Sequence, residues 1–141
     1  MALEDTESFD NTETVPDDDP LGLGLRYRLD RSTTPERLLA RFTVRPDHRG
    51  PPGYLHGGMA ATILDETMAS VSWAIEGLPS VTARLELRYR LPIPIDVGEL
   101  RVEAWRARPG ARRVQKVLGR IVQPDGSVAV EATGLFVEVT P

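Results

Sequence analysis

Cysteine is absent from the 141-residue chain, and only His48 and His56 supply imidazole. The first absence removes disulfides, thiolate nucleophiles and zinc–sulfur sites together. The second leaves too few ligands for a histidine-rich metal site, so no metal is expected. No apolar run approaches the roughly 20 residues needed to span a bilayer, and no membrane partner is expected. The N-terminus has no basic segment leading into an apolar core, so a secretory signal is not expected and the cytoplasm is the expected location. Aromatics are scarce, at 6%. Trp73, Trp105, Phe42 and Phe136 are each expected in the core rather than on a ligand pocket. Against these absences stand 40% hydrophobic and 27% charged residues, enough for one domain with one core.

The net charge of −4 conceals a division along the chain. Residues 1–19 hold eight of the 21 acids and no Lys or Arg, leaving 13 acids against 17 bases in the remainder. That body is about +4, and Lys116 is its only lysine. The segment 1–19 lacks apolar periodicity and is expected to be a disordered acidic tail, with a domain over residues 20–141. A mildly cationic body suits a small anionic ligand. The bias is too weak and too interspersed with Glu for nucleic acid, and no helix-turn-helix is apparent.

Leu21 to Leu29 and Leu38 to Val44 read as strands, and the Pro- and Gly-rich residues 45–55 as a loop. From Gly57 to about Ile75 no proline interrupts a run rich in Ala, Met, Leu and Ile, which predicts one long helix stopped by Gly77 and Pro79. Val81, Ala83, Leu85, Leu87, Tyr89 and Leu91 then alternate with Thr82, Arg84, Glu86, Arg88 and Arg90. This period-2 pattern predicts a strand with one apolar and one wet face. Leu100 to Ala107, Val114 to Val122 and Val128 to Val139 complete four strands joined by short turns. One helix followed by a meander excludes a parallel α/β sheet, which needs repeated crossovers. The expected fold is α+β, an antiparallel curved sheet wrapped around one long central helix.

At about 100° per residue, Ala60, Leu64, Met68, Val71 and Ile75 form the helix face turned to the sheet. Asp65 stands about 100° from that stripe and Glu66 about 160°, so Asp65 is at its border and Glu66 points nearly away. Asp65 and Glu66 are then either two surface acids or one working carboxylate and its bystander. His56-Gly57-Gly58 places two glycines at the helix start, where unpaired amides can meet a bound carbonyl and the helix dipole favours negative charge. The plainer use of a Gly-Gly pair is a tight turn.

The run His56-Gly57-Gly58-Met59-Ala60-Ala61-Thr62-Ile63-Leu64-Asp65 resembles the signature of hotdog-fold acyl-CoA thioesterases of the phenylacetyl-CoA and fatty-acyl-CoA group. Thr82 through Pro94 and Glu131 through Phe136 are similar to later strands of that family, and the resemblance covers about residues 20–141. It implies hydrolysis of a fatty-acyl or aryl-acyl CoA to free acid and CoA, with no cofactor, coenzyme A being part of the substrate. It implies Asp65 as general base or nucleophile, the Gly57 amide as polariser of the thioester C=O, and His56 and Gly58 at the same helix start. Thr82 would hold the attacking water from across a dimer. Arg90, Arg108 and Arg112 would meet coenzyme A phosphates; on their own terms they are exposed arginines at strand ends. Many relatives carry Asn six positions before the motif's His; here that residue is Gly50. His48 is expected to be a solvated loop residue. The alternatives are a hotdog enoyl-CoA hydratase or dehydratase, and a non-catalytic acyl-CoA-binding domain. The strand from Val81 to Leu91 would present a long sheet edge that needs covering, and the family assembles similarly, so a homodimer or homotetramer is expected.

Overall fold

The computed structural model describes residues 12–140. Seven strands form one antiparallel sheet: β1 (Glu13–Val15), β2 (Arg26–Asp30), β3 (Arg37–Thr43), β4 (Ser80–Tyr89), β5 (Glu99–Arg106), β6 (Val114–Val122) and β7 (Val128–Glu138). Their spatial order is β1-β2-β3-β5-β6-β7-β4. Between β3 and β4 the chain forms the long helix α1 (Gly57–Ala69) and the short helix α2 (Val71–Glu76). The architecture is the α+β sheet around one helix that the pattern predicts.

Period-2 alternation turns Leu38, Ala40 and Phe42 of β3, and Leu100, Val102 and Ala104 of β5, onto α1, where all six are buried. From the helix, Ala60, Leu64, Met68 and Val71 are buried as their spacing predicts, joined by Ile63 and Thr67. The helix can seat this closely because β6 has no side chain at Gly119. A Cβ there would lie 2.7 Å from Met68 Sδ and 3.2 Å from Leu64 Cδ2. On the sheet's outer face Glu103 is buried among three guanidinium groups, with nitrogens of Arg37, Arg101 and Arg120 at 3.1, 2.8 and 2.8 Å. Trp105 lies between two of these arginines, 4.2 Å from Arg37 and 5.5 Å from Arg120. Phe42 and Phe136 are core, as expected, whereas Trp105 is on this outer face and Trp73 is 47% exposed on α2.

Four expectations need correction. The acidic segment is not unstructured throughout: Glu13–Val15 pairs with β2, and Val15 packs on the core. Residues 1–11 of that predicted tail lie outside the described residues. The first predicted strand starts late, at Arg26, because Asp19 captures the Leu23 and Gly24 amides at 2.8 and 3.0 Å and folds residues 19–24 into a turn. The helix does not run unbroken to Ile75; Ser70 interrupts it with ψ near 0 (−1°) and its hydroxyl bonds back to the Glu66 carbonyl at 2.7 Å. His48 is buried rather than solvated. Its Nδ1 accepts the Arg45 amide at 3.0 Å and its ring meets Phe42 at 5.2 Å. Among the described residues no helix is long and apolar enough to cross a membrane.

Candidate active site

Three hydrogen bonds tie β4 to α1. Ser80 Oγ donates to the Ala69 carbonyl at 2.8 Å, Thr82 Oγ1 to Asp65 Oδ1 at 2.6 Å, and Tyr89 Oη to the Gly57 carbonyl at 2.7 Å. Simple alternation would turn Thr82 outward with Arg84 and Glu86. A β-bulge prevents this: Thr82 pairs with Phe136 and Arg84 with Leu135, leaving Ala83 unopposed. The extra residue reverses the phase, so Thr82 shares the helix-facing side with Leu85, Leu87 and Tyr89. A uniform period-2 reading therefore puts Thr82 on the wrong face. The Thr82 hydroxyl belongs to the same chain as the carboxylate it touches, so this pair forms within one copy. Thr82 spends its proton on Oδ1, which fixes the carboxylate's orientation. Asp65 is half-buried at the border of the packed face, as the helical arithmetic predicts.

Glu66 behaves differently from a solvated bystander. It is half-buried, and burial raises its pKa, with the charges of Asp65, Asp17 and Asp19 pushing the same way. The chain before β2 lies against this part of the helices, where Trp73 Nε1 donates to the Pro16 carbonyl at 3.3 Å.

The start of α1 accounts for its amides one by one. The His56 amide donates to the His48 carbonyl at 2.9 Å. The Gly58 amide donates to His56 Nδ1 at 2.8 Å, and the Met59 and Ala60 amides share the His56 carbonyl at 3.0 and 3.2 Å. The Gly57 amide has no acceptor among the described residues. Of the two glycines, then, only Gly57 offers a free donor at the positive end of the helix dipole; Gly58 is engaged. Gly58 has its own steric reason: a Cβ there would fall 2.8 Å from His56 Cε1 and displace the capping ring. Gly50 packs behind that ring's backbone, where a Cβ would lie 3.0 Å from His56 Cα.

A pocket of about 310 Å³ opens beside this amide, lined by Leu55, Gly57, Ala60, Tyr89, Leu91 and Ile93 among others, with Arg90 at its edge. Arg90 also pairs with Glu131 at 3.1 Å. Arg108 and Arg112 are far from it in the fold, in the β5–β6 hairpin, where they line a separate basic cleft with Lys116. The structure thus gathers Gly57, Tyr89 and Arg90 at one end of β4, and Asp65 with Thr82 at the other. The eight helical steps from Gly57 to Asp65 rise about 12 Å, so one chain does not bring both to one carbonyl. Among the described residues no three His, Asp or Glu side chains gather into a metal site. Tyr89 is the residue that sequence reasoning missed; the signal was a hydroxyl in the apolar phase of β4, directly before the Arg-Leu-Pro that ends it.

Comparison with known proteins bears on this arrangement. The sequence profile of the Thioesterase superfamily matches residues 52–130, which include His56 through Asp65 and all of β4. The chain belongs to the thioesterase superfamily. The acyl-coenzyme A thioesterase THEM4 of Xenopus laevis is 30% identical over 129 residues, covering 85% of this chain and 53% of that protein. The chain spans about half the length of the curated THEM4 relatives it matches. Among solved structures, a phenylacetic acid degradation-related protein of Ralstonia eutropha superposes with a TM-score of 0.71 at 27% identity, over 88% of this chain and 92% of that one. A Bacillus halodurans protein solved with CoA superposes at 0.63 and 26% identity, over 72% and 66% of the two chains.

Proposed function

We propose that this chain hydrolyses an acyl-CoA thioester to the free acid and CoA, at a site built between two copies of itself. The observation that carries the reading is the separation of two halves of one catalytic arrangement. Asp65, oriented by Thr82, lies at one end of β4, and the unpaired Gly57 amide lies at the other. β4 ends the sheet, and Val81 and Tyr89 on it are 52% and 54% exposed. Such an edge is completed by antiparallel pairing with the same strand of a second copy. A two-fold axis near the strand's middle would set Thr82 of one copy opposite the Tyr89 end of the other. The partner subunit's Gly57 would then face Asp65. That the named relatives are acyl-coenzyme A thioesterases supports the substrate class.

In this reading the thioester C=O accepts the Gly57 N–H, which stabilises the oxyanion as the carbonyl carbon becomes tetrahedral. Asp65 Oδ2 takes a proton from water as the water oxygen attacks, or the carboxylate itself attacks and the resulting anhydride is hydrolysed. In both cases the C–S bond breaks as the tetrahedral intermediate collapses, in the second before water meets the anhydride. The leaving sulfur takes its proton from the Asp65 carboxyl in the first and from solvent in the second. Arg108 and Arg112 from the Asp65 side, with Arg90 from the Gly57 side, would bring positive charge to the CoA phosphates from both copies. His56 caps the helix through Nδ1. A thiol-release assay across short, medium, long-chain and aryl CoA esters, with Asp65→Asn as control, tests the reading. Release that the purified Asp65→Asn protein retains would remove Asp65 from the mechanism.

A further inference from the structure

We propose that Tyr89 is a positioning residue for the polarising amide, acting through the Gly57–Gly58 peptide. The inference rests on the thioesterase reading for its effect on catalysis, but the geometry stands by itself. The peptide unit joining Gly57 and Gly58 is held at both ends. Its carbonyl oxygen accepts the Tyr89 hydroxyl at 2.7 Å, and its N–H donates to His56 Nδ1 at 2.8 Å. A helical carbonyl has a second lone pair available for such a bond. The three groups therefore form a chain, Tyr89 O–H to C=O, then N–H to imidazole, in which each bond polarises the next.

Two glycines in succession would otherwise make this the loosest turn of the helix. With the peptide clamped, the preceding unit is fixed as well, since its carbonyl is occupied by the Met59 and Ala60 amides. Its N–H, that of Gly57, is the one left over. His56 Nδ1 is already engaged by the Gly58 amide and is not the acceptor of that N–H. The Tyr89 ring also passes 3.7 Å from where a Gly57 Cβ would stand and forms part of the wall of the adjoining pocket. Phenylalanine at position 89 would keep that wall and lose the clamp.

The test compares wild type with Tyr89→Phe in two ways. Turnover of a CoA ester should fall about tenfold in kcat with KM within about twofold, less than direct loss of an oxyanion donor because the hydroxyl acts at one remove. The Gly58 amide, followed by hydrogen exchange in the 15N-labelled protein without substrate, should exchange roughly tenfold faster in the variant. Equal Gly58 exchange in both proteins would overturn the clamp whatever the activity. Faster exchange with unchanged kcat would overturn its role in positioning. A wild type that cleaves no CoA ester would instead sink the thioesterase reading, and the exchange measurement would still decide the clamp.

Discussion

Replacing Gly57 by proline isolates one hydrogen atom. Proline lacks the backbone N–H, and the first helical position is where a helix tolerates it best. His56, the preceding residue, has φ −64° and ψ 133°, the extended conformation that a residue before proline adopts. No protein hydrogen bond is lost among the described residues, because the Gly57 amide has no acceptor. A Cβ at this position would stand 3.7 Å from the Tyr89 ring, an ordinary contact. Stability should hold or rise by about 0.4–1 kcal/mol, as for any proline placed where the backbone already fits. Catalysis should move the other way. Loss of an oxyanion donor costs about 10²–10³ in kcat, or about 2.7–4 kcal/mol. Steady-state kinetics on a CoA ester, paired with a thermal melt, measures both. Gly57→Ala keeps the N–H and serves as the control, with activity near wild type. A Gly57→Pro protein that melts like wild type and retains kcat within threefold would refute the role given to this amide.

Thr82→Ser should stay close to wild type, whereas Thr82→Val should lose about 10- to 100-fold in kcat, since the hydroxyl orients Asp65; steady-state kinetics separates them, and a dead Thr82→Ser would contradict a hydroxyl role. Glu66→Gln should raise Tm at pH 8 and change it little below about pH 4. Its carboxyl pKa is raised in the folded protein, so the native state binds the extra proton and stability falls as pH rises through the elevated value. The same Tm difference at both pH values would contradict that sign. Gly119→Ala should destabilise by about 1–3 kcal/mol in denaturant unfolding, because the new methyl would lie 2.7 Å from Met68 Sδ and 3.2 Å from Leu64 Cδ2 and both buried side chains must shift.

Much of the fold was legible because periodicity reports which face is buried. The helix stripe of Ala60, Leu64 and Met68, and the alternation in β3 and β5, need only spacing to be read. The site was legible to the extent that it is local: the amides of His56-Gly57-Gly58 and the border position of Asp65 follow from helical geometry. What was not legible came from non-local contacts. The bulge at Ala83 exists because of how β4 pairs with β7, and it alone decides which way Thr82 points. Nothing in a glycine pair says which amide a histidine will occupy; the structure gives Gly58 to His56 and leaves Gly57 open. β1 escaped a compositional reading because one buried side chain, Val15, anchors a segment otherwise acidic. Tyr89 looked like one more apolar residue until its hydroxyl was placed against the helix start.

Mixing two inactive proteins tests the shared site most directly. In Asp65→Asn every site lacks its carboxylate, and in Gly57→Pro every site lacks its amide donor. A mixed dimer carries both lesions at one site and neither at the other, provided each site draws Asp65 from one chain and Gly57 from its partner. Co-expression or subunit exchange should then restore about a quarter of wild-type kcat, from half the dimers with one good site each. Activity no higher than that of the two separate variants, with exchange of subunits verified, would show that Asp65 and Gly57 do not meet across two copies.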